Sequence, residues 1–166
     1  QRLFGLIKKK ALMIKVNVIL DNINWKKHLK NPNNYIKKKI LLINKKDKLF
    51  KKNILTCTVL LSHTLEIKKL NKKFRNKNKS TDVLSFPFYE KKKLKNELSK
   101  HKKIYLGDII INLNKVKNIK NKLKFENEFN KLWIHGLVHL FGYKHKTDKD
   151  FLSMNKLEKI FLKQIN

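Results

Sequence analysis

Three of the chain's six histidines fall within HGLVHLFGYKH, from His135 to His145. His135 and His139 are four apart. On a helix that spacing puts both imidazoles on one face, a turn apart, where they can reach a single metal ion. Leu132, Trp133 and Leu140 supply apolar residues to bury such a helix. Gly142 follows His139 by three and can take positive φ to end it. The chain can then reverse through Tyr143 and Lys144 and return His145 to the same ion. Three neutral imidazoles with one position left open form the donor set of a catalytic zinc site. A closed structural site would add a fourth ligand, usually Cys. The single cysteine, Cys57, lies instead in the apolar stretch NILTCTVLLS and reads as a buried core thiol.

The spacing matches the metzincin protease pattern H-E-x-x-H-x-x-G-x-x-H at all positions but one, where Gly136 replaces the general-base Glu. Peptide hydrolysis at zinc needs a carboxylate to move the water's proton to the leaving amine. A phosphodiester has an easier leaving group and needs cations for its charged oxygens. The motif therefore favours phosphodiester cleavage over proteolysis, and Gly136 is expected to leave room beside the metal. The remaining histidines show no such pattern. His28 and His101 sit in Lys-rich, exposed-looking runs, and His63 reads as a cap or turn residue. Met154 reads as a helix core residue and not as a metzincin Met-turn.

Positioning these residues requires a scaffold. MIKVNVIL (Met13–Leu20) alternates and is β-branched, as a strand is. Asn31-Pro32-Asn33 signals a turn, and Ile36, Ile40 and Ile43 then recur at helical intervals. Asn53–Ser62 reads as a second strand. Thr64–Phe74 reads as a helix with Leu65, Ile67, Leu70 and Phe74 on its apolar face, capped by Ser62 or Thr64. Arg75–Thr81 is a polar basic loop in which Lys77 and Lys79 are solvated. Asp82–Phe88 is a short strand that Pro87 ends or confines to an edge. Tyr89 to Lys103 looks like an exposed excursion. Ile104–Asn112 is a strongly β-branched strand bent at Gly107. Two helices follow, Phe125–Phe141 with the histidine motif and Asp148–Leu162. The fold class is α+β: a small mixed four-stranded sheet packed with about five helices, the zinc-site helix near the C-terminus.

The 166 residues suit one domain, 13–166, preceded by a basic extension over 1–12. That extension lacks the long apolar core and small-residue cleavage site of a signal peptide, and organelle targeting is the weaker alternative. Apolar runs such as Ile109–Ile111 are far below the roughly 18 residues of a membrane span, so no membrane partner is expected. One cysteine and no disulfide point to a cytoplasmic protein. With 42 basic against 12 acidic residues the formal charge is +30, which draws polyanions, nucleic acid above all. Lys, Asn and Ile abound while Gly, Pro and Ala are scarce, a profile of A/T-rich coding that accounts for part of that charge. Only Arg2 and Arg75 are arginines, which singles out Arg75, since Arg grips phosphate in a bidentate way that Lys does not.

HGLVHLFGYKH resembles the H-G-x-L-H-L-x-G-Y-D-H signature of the YbeY family of metal-dependent endoribonucleases. LNKKFRNKNKSTDVLSFPF (Leu70–Phe88) and YLGDIIIN (Tyr105–Asn112) are similar to two further blocks of that family, in the same order and spacing. The resemblance implies that His135, His139 and His145 hold one Zn2+ per chain. It makes Arg75 the functional cation of the cleft, gripping phosphate. It implies single-strand-specific cleavage in 16S-type ribosomal RNA 3′-end maturation and ribosome quality control, on the 30S subunit, with ribosomal proteins or a GTPase assembly factor as further partners. The attacking group is left open between a metal-bound water and the RNA 2′-hydroxyl. The alternatives are a ribosome-associated RNA-binding factor with a structural metal and, more remotely, a metalloprotease. Lys144 stands where the family carries Asp, so the carboxylate beside the third histidine is missing; Asp148 and Asp150 are nearby acids but suit the N-terminus of the last helix better. Ser80 stands where the family commonly has Pro. Asp108 either serves the motif helix and its histidines or caps a turn.

Overall fold

The computed structural model describes residues 11–45 and 52–166, so the expected extension lies, through residue 10, outside the described residues. β1 (Ala11–Leu20) and β2 (Lys52–Ser62) run parallel, joined through α1 (Pro32–Lys45). β4 (Lys103–Asn112) adds parallel to β2, and β3 (Val83–Pro87) pairs antiparallel with β4. The sheet order is β1-β2-β4-β3. With α2 (Thr64–Arg75), α3 (Lys91–Lys100), α4 (Lys122–Leu140) and α5 (Asp148–Ile165), the described residues form a mixed four-stranded sheet and five α-helices, the expected α+β class.

Alternation along the strands divides the sheet into two unlike faces. Ile14 and Val16 of β1, Leu55, Cys57, Val59 and Leu61 of β2, and Ile104, Leu106, Ile109 and Ile111 of β4 all enter the main core. The step from Leu106 to Ile109 is three residues where two would keep the face. The register shift opposite Thr56 and Cys57 absorbs the extra residue, and Gly107, at φ +129°, takes the bulge conformation. α1, α3, α4 and α5 cover this face through residues such as Ile40, Leu94, Phe129 and Phe161. Among the described residues, α2 alone packs on the other face, where Ile67 meets Leu84 and Ile110.

Three local readings change. Asn31-Pro32-Asn33 starts α1: Pro32 takes the first helical position, where a missing N–H is harmless, and the Asn31 side chain accepts from the Asn34 N–H at 3.0 Å. The expected excursion contains α3, whose Leu94 and Leu98 are buried one turn apart; Asn53 Nδ2 ties its end down by donating to the Leu98 and His101 carbonyls, each at 2.8 Å. α2 buries Ile67 and Asn71, while Leu65 and Phe74 are exposed. Its cap position is His63, which makes no side-chain cap bond; the Ser62 hydroxyl donates to Asp21 Oδ2 at 2.6 Å instead. His28 is half-buried, its ring 4.9 Å from that of Phe125, whereas His101 is exposed beside Glu97. Cys57 is buried as expected, and burial pushes its thiol pKa up to about 12.

Candidate metal centre

α4 starts at an Asn121 cap, its side chain accepting from the Lys124 N–H at 2.9 Å, and runs across the main face of the sheet. Phe125, Phe129, Trp133 and Leu137 bury one side of it. Its C-terminal end is a Schellman turn. The Gly142 N–H bonds the His139 carbonyl at 2.8 Å, and the Tyr143 N–H reaches the Val138 carbonyl at 3.4 Å. Gly142 has φ +80°, and a Cβ there would lie 2.7 Å from Lys91 Cα, so both the turn and the neighbouring α3 require glycine. The reversal brings His145 back. One donor nitrogen from each of His135, His139 and His145 lies within 4.8 Å of the others, the grouping expected from the spacing.

Each helical imidazole is held from behind. His135 Nδ1 lies 2.7 Å from Glu158 Oε1 on α5, and His139 Nδ1 donates to the Tyr143 carbonyl at 2.8 Å. A carbonyl only accepts, so the proton of neutral His139 sits on Nδ1; the Glu158 carboxylate selects the same tautomer in His135. The two Nε2 atoms then present lone pairs to each other across 3.0 Å. Two lone pairs facing at that distance repel unless a cation lies with them, so the donor set fits a metal. Burial lowers the His139 pKa as the largest effect, the His135 and His145 charges push the same way, and the Tyr143 carbonyl and Glu158 oppose. His139 is thereby kept neutral, the form a metal ligand needs. His145 is exposed and completes the group from the solvent side.

Gly136 does not leave space beside this group. It is buried facing the sheet, and an added Cβ would lie 2.6 Å from Ile109 Cγ2. Its role is close helix-to-sheet approach, and a Glu at this position would be driven into β4. Asp108 does not serve the histidines: it sits between Gly107 and Ile109 on the opposite face, where its carboxylate accepts from the Tyr105 hydroxyl. Lys144 turns toward the start of α3, 3.4 Å from Glu90, both groups exposed. Asp148 and Asp150 stand in the first turn of α5 behind a Thr147 cap. Met154 is buried in the α5 core.

Arg75 is the last residue of α2. Its Nη2 donates to the Ser85 carbonyl at 2.8 Å and its guanidinium lies over the Phe86 ring. In the β3–β4 ladder the bonded partners are even-numbered on both strands, as Phe88 N to Leu106 O and Asn112 N to Asp82 O show. The backbone groups of Ser85 therefore face off the sheet edge. Ser85 lies opposite Ile109, and Ile109 lies under Gly136. Arg75 thus occupies the β3 edge at the level of the histidine helix. Lys77 and Lys79 are exposed, and the loop that carries them is pinned by Asn71 Nδ2 donating to the Lys79 carbonyl at 2.7 Å.

Sequence reasoning missed Glu158. The signal was present: it flanks Leu157 and lies four after Met154 and three before Phe161, all buried, in a chain with only 12 acids. Attention to acids near the motif passed over one brought in by α5. The Tyr143 carbonyl, being backbone, carries no residue-type signal.

The family model described as endoribonuclease YbeY matches residues 19–166. An endoribonuclease YbeY from Pelagibacter ubique is 44% identical over 156 residues, covering 92% of this chain and 97% of that one. One from Buchnera aphidicola is 36% identical over 118 residues, 70% of this chain and 72% of the relative. A solution structure of a Thermotoga maritima protein is similar at a TM-score of 0.52 and 27% identity, covering 92% of this chain and 89% of that one.

Proposed function

The chain belongs to the YbeY endoribonuclease family, and on that premise we propose that it is a zinc-dependent, single-strand-specific endoribonuclease of ribosomal RNA, acting in 16S-type 3′-end maturation and ribosome quality control. RNA within the 30S subunit is the substrate of this reading, with ribosomal proteins or a GTPase assembly factor as partners and the cytoplasm as the compartment. No helix among the described residues is long and apolar enough to cross a membrane.

The observation that carries the metal assignment is the pair of Nε2 lone pairs facing across 3.0 Å, each fixed from behind by Glu158 or Tyr143. His135, His139 and His145 would hold Zn2+, which when bound supplies a Lewis acid for the phosphoryl group and lowers the pKa of a water. Glu158 holds the proton on His135 Nδ1 and so keeps Nε2 free. Arg75 uses one guanidinium arm on the Ser85 carbonyl, and its remaining N–H groups can bind a phosphate at the β3 edge. That geometry supports Arg75 as the residue that orients the phosphodiester and stabilises the charge growing on it. The packing of Gly136 on Ile109 weighs against a protease, because the zincin base position faces the core.

Metal analysis of the purified protein, paired with cleavage of an unstructured RNA, tests this. Wild type should bind one zinc per chain and cleave. His139→Ala should lose both metal and activity. Arg75→Ala should keep its metal and lose roughly a hundredfold or more in rate, the scale of removing one charge-stabilising donor. Cleavage that tracks contaminating nuclease and survives loss of His135 would instead support the non-catalytic RNA-binding factor with a structural metal. A 2′,3′-cyclic phosphate product would identify the 2′-hydroxyl as nucleophile.

A further inference from the structure

Among the described residues, the sheet face opposite the metal centre is only partly covered. α2 packs over Leu84 and Ile110, and beyond it a row of aromatic side chains remains open. Phe74 is 59% exposed, Phe88 64% and Tyr105 38%. Phe74 stands edge-on to Phe86 with ring centroids 5.4 Å apart, and Phe88 edge-on to Tyr89 at 4.8 Å and to Tyr105 at 6.2 Å. An edge-to-face pair leaves one ring face free for a further stacking partner. Phe86 and Phe88 are two apart on β3 and its continuation, so the two pairs join into one row with a step of about 6.6 Å.

We propose that this row, centred on Phe88 and Tyr105, is a stacking platform for unpaired RNA bases that extends the substrate site. The proposal rests on the RNA-cleaving reading above. Any base can stack on an aromatic ring, so such a surface grips single strands without reading sequence. Its charges suit a polyanion. Lys73 lies 5.3 Å from the Phe74 centroid and Arg75 5.7 Å from that of Phe86, while Lys15 and Lys103 border the face from β1 and β4. Asp108, an acid on this face, is engaged by the Tyr105 hydroxyl, which Thr58 also meets at 3.1 Å. Lysine-rimmed rings are a poor match for a protein partner, since protein interfaces are depleted in Lys. A chain of formal charge +30 also repels its own copy.

The segment after β3 links this face to the histidine turn. Glu90, two residues after Phe88, meets Lys144, and the Lys91 ammonium lies 3.8 Å from the Tyr143 ring centroid. A strand stacked on Phe88 therefore reaches the histidine turn by crossing the β3 edge, where Arg75 stands. Single-strand preference follows, because a duplex keeps its bases stacked on one another.

The test uses the full metal-free chain, which cannot cleave, with a fluorescent unstructured RNA of about a dozen nucleotides and a blunt duplex of the same length. Affinity is read by anisotropy, with folding checked by circular dichroism. Phe88→Ala and Tyr105→Leu should each weaken single-strand binding roughly tenfold, the ordinary loss per stacking ring, and leave duplex binding within twofold. Unchanged single-strand affinity in both variants would overturn the platform. So would an equal loss on the duplex, or a wild-type dimer in sedimentation that Phe88→Ala dissociates, which would make the face an interface between copies. Stacking intact in a metal-loaded wild type that cleaves no RNA would sink the nuclease reading alone; cleavage without any effect at Phe88 and Tyr105 would sink the platform alone.

Discussion

At the scale of single residues, the histidines were legible because their geometry is local: a helical turn and a glycine reversal fix all three within eleven positions. Their supports were not, because one is a backbone carbonyl and the other, Glu158, arrives on a separate helix. Lys144 offers no carboxylate beside His145, whereas Glu158 places one behind His135. Glu158→Ala should weaken zinc binding by roughly 10- to 100-fold in chelator competition, with Glu158→Gln intermediate, while the metal-free protein melts within a few degrees of wild type. Cys57 was legible as core from its β-branched neighbours. With its thiol pushed up to about 12, no thiolate forms near neutral pH in the fold. A thiol reagent at pH 8 should therefore label Cys57 only after denaturant is added, and labelling of the native protein at the free-thiol rate would refute its burial.

At the scale of elements, strands and long helices followed from periodicity, but α3 did not. Eight of its ten residues are charged or polar, and Leu94 and Leu98 alone carry its core contact, too sparse a stripe to stand out in a Lys-rich run. α2 shows the converse: Leu65 and Phe74 fit an apolar face in sequence, yet only part of the sheet lies beneath that helix. The glycine after His135 was read as open space because the metal dominated the motif; the constraint comes from β4, far away in sequence. Gly136→Ala should be net destabilising. Overpacking costs about 1–3 kcal/mol against a helix-propensity gain of about 1 kcal/mol. The clashing atom is a branch methyl of Ile109 that cannot swing aside. Ile109→Ala should restore room, so a denaturation cycle over the two sites should show a favourable coupling of about 0.5–3 kcal/mol. Strict additivity would mean that the helix shifts instead.

At the scale of the whole molecule, the 42 basic residues favour nonspecific attraction of polyanions, whereas on the proposed function the sheet edge and the histidine turn would give direction. These contributions separate in salt titrations of RNA binding. Affinity should fall linearly with salt on a double-logarithmic plot, and Arg75→Ala should shallow the slope by about 0.7, one single-strand phosphate contact. Phe88→Ala should lower affinity at every salt concentration without changing the slope. An edge strand offers unpaired backbone groups on which a stray β-strand can grow. Here the Arg75 guanidinium occupies the outward Ser85 carbonyl, and Pro87, whose backbone faces the same way, has no N–H to offer. The border that, on the proposed reading, a nucleic acid crosses to reach the histidines is thus a poor template for a further β-strand, and it can stay exposed without becoming a seed for aggregation.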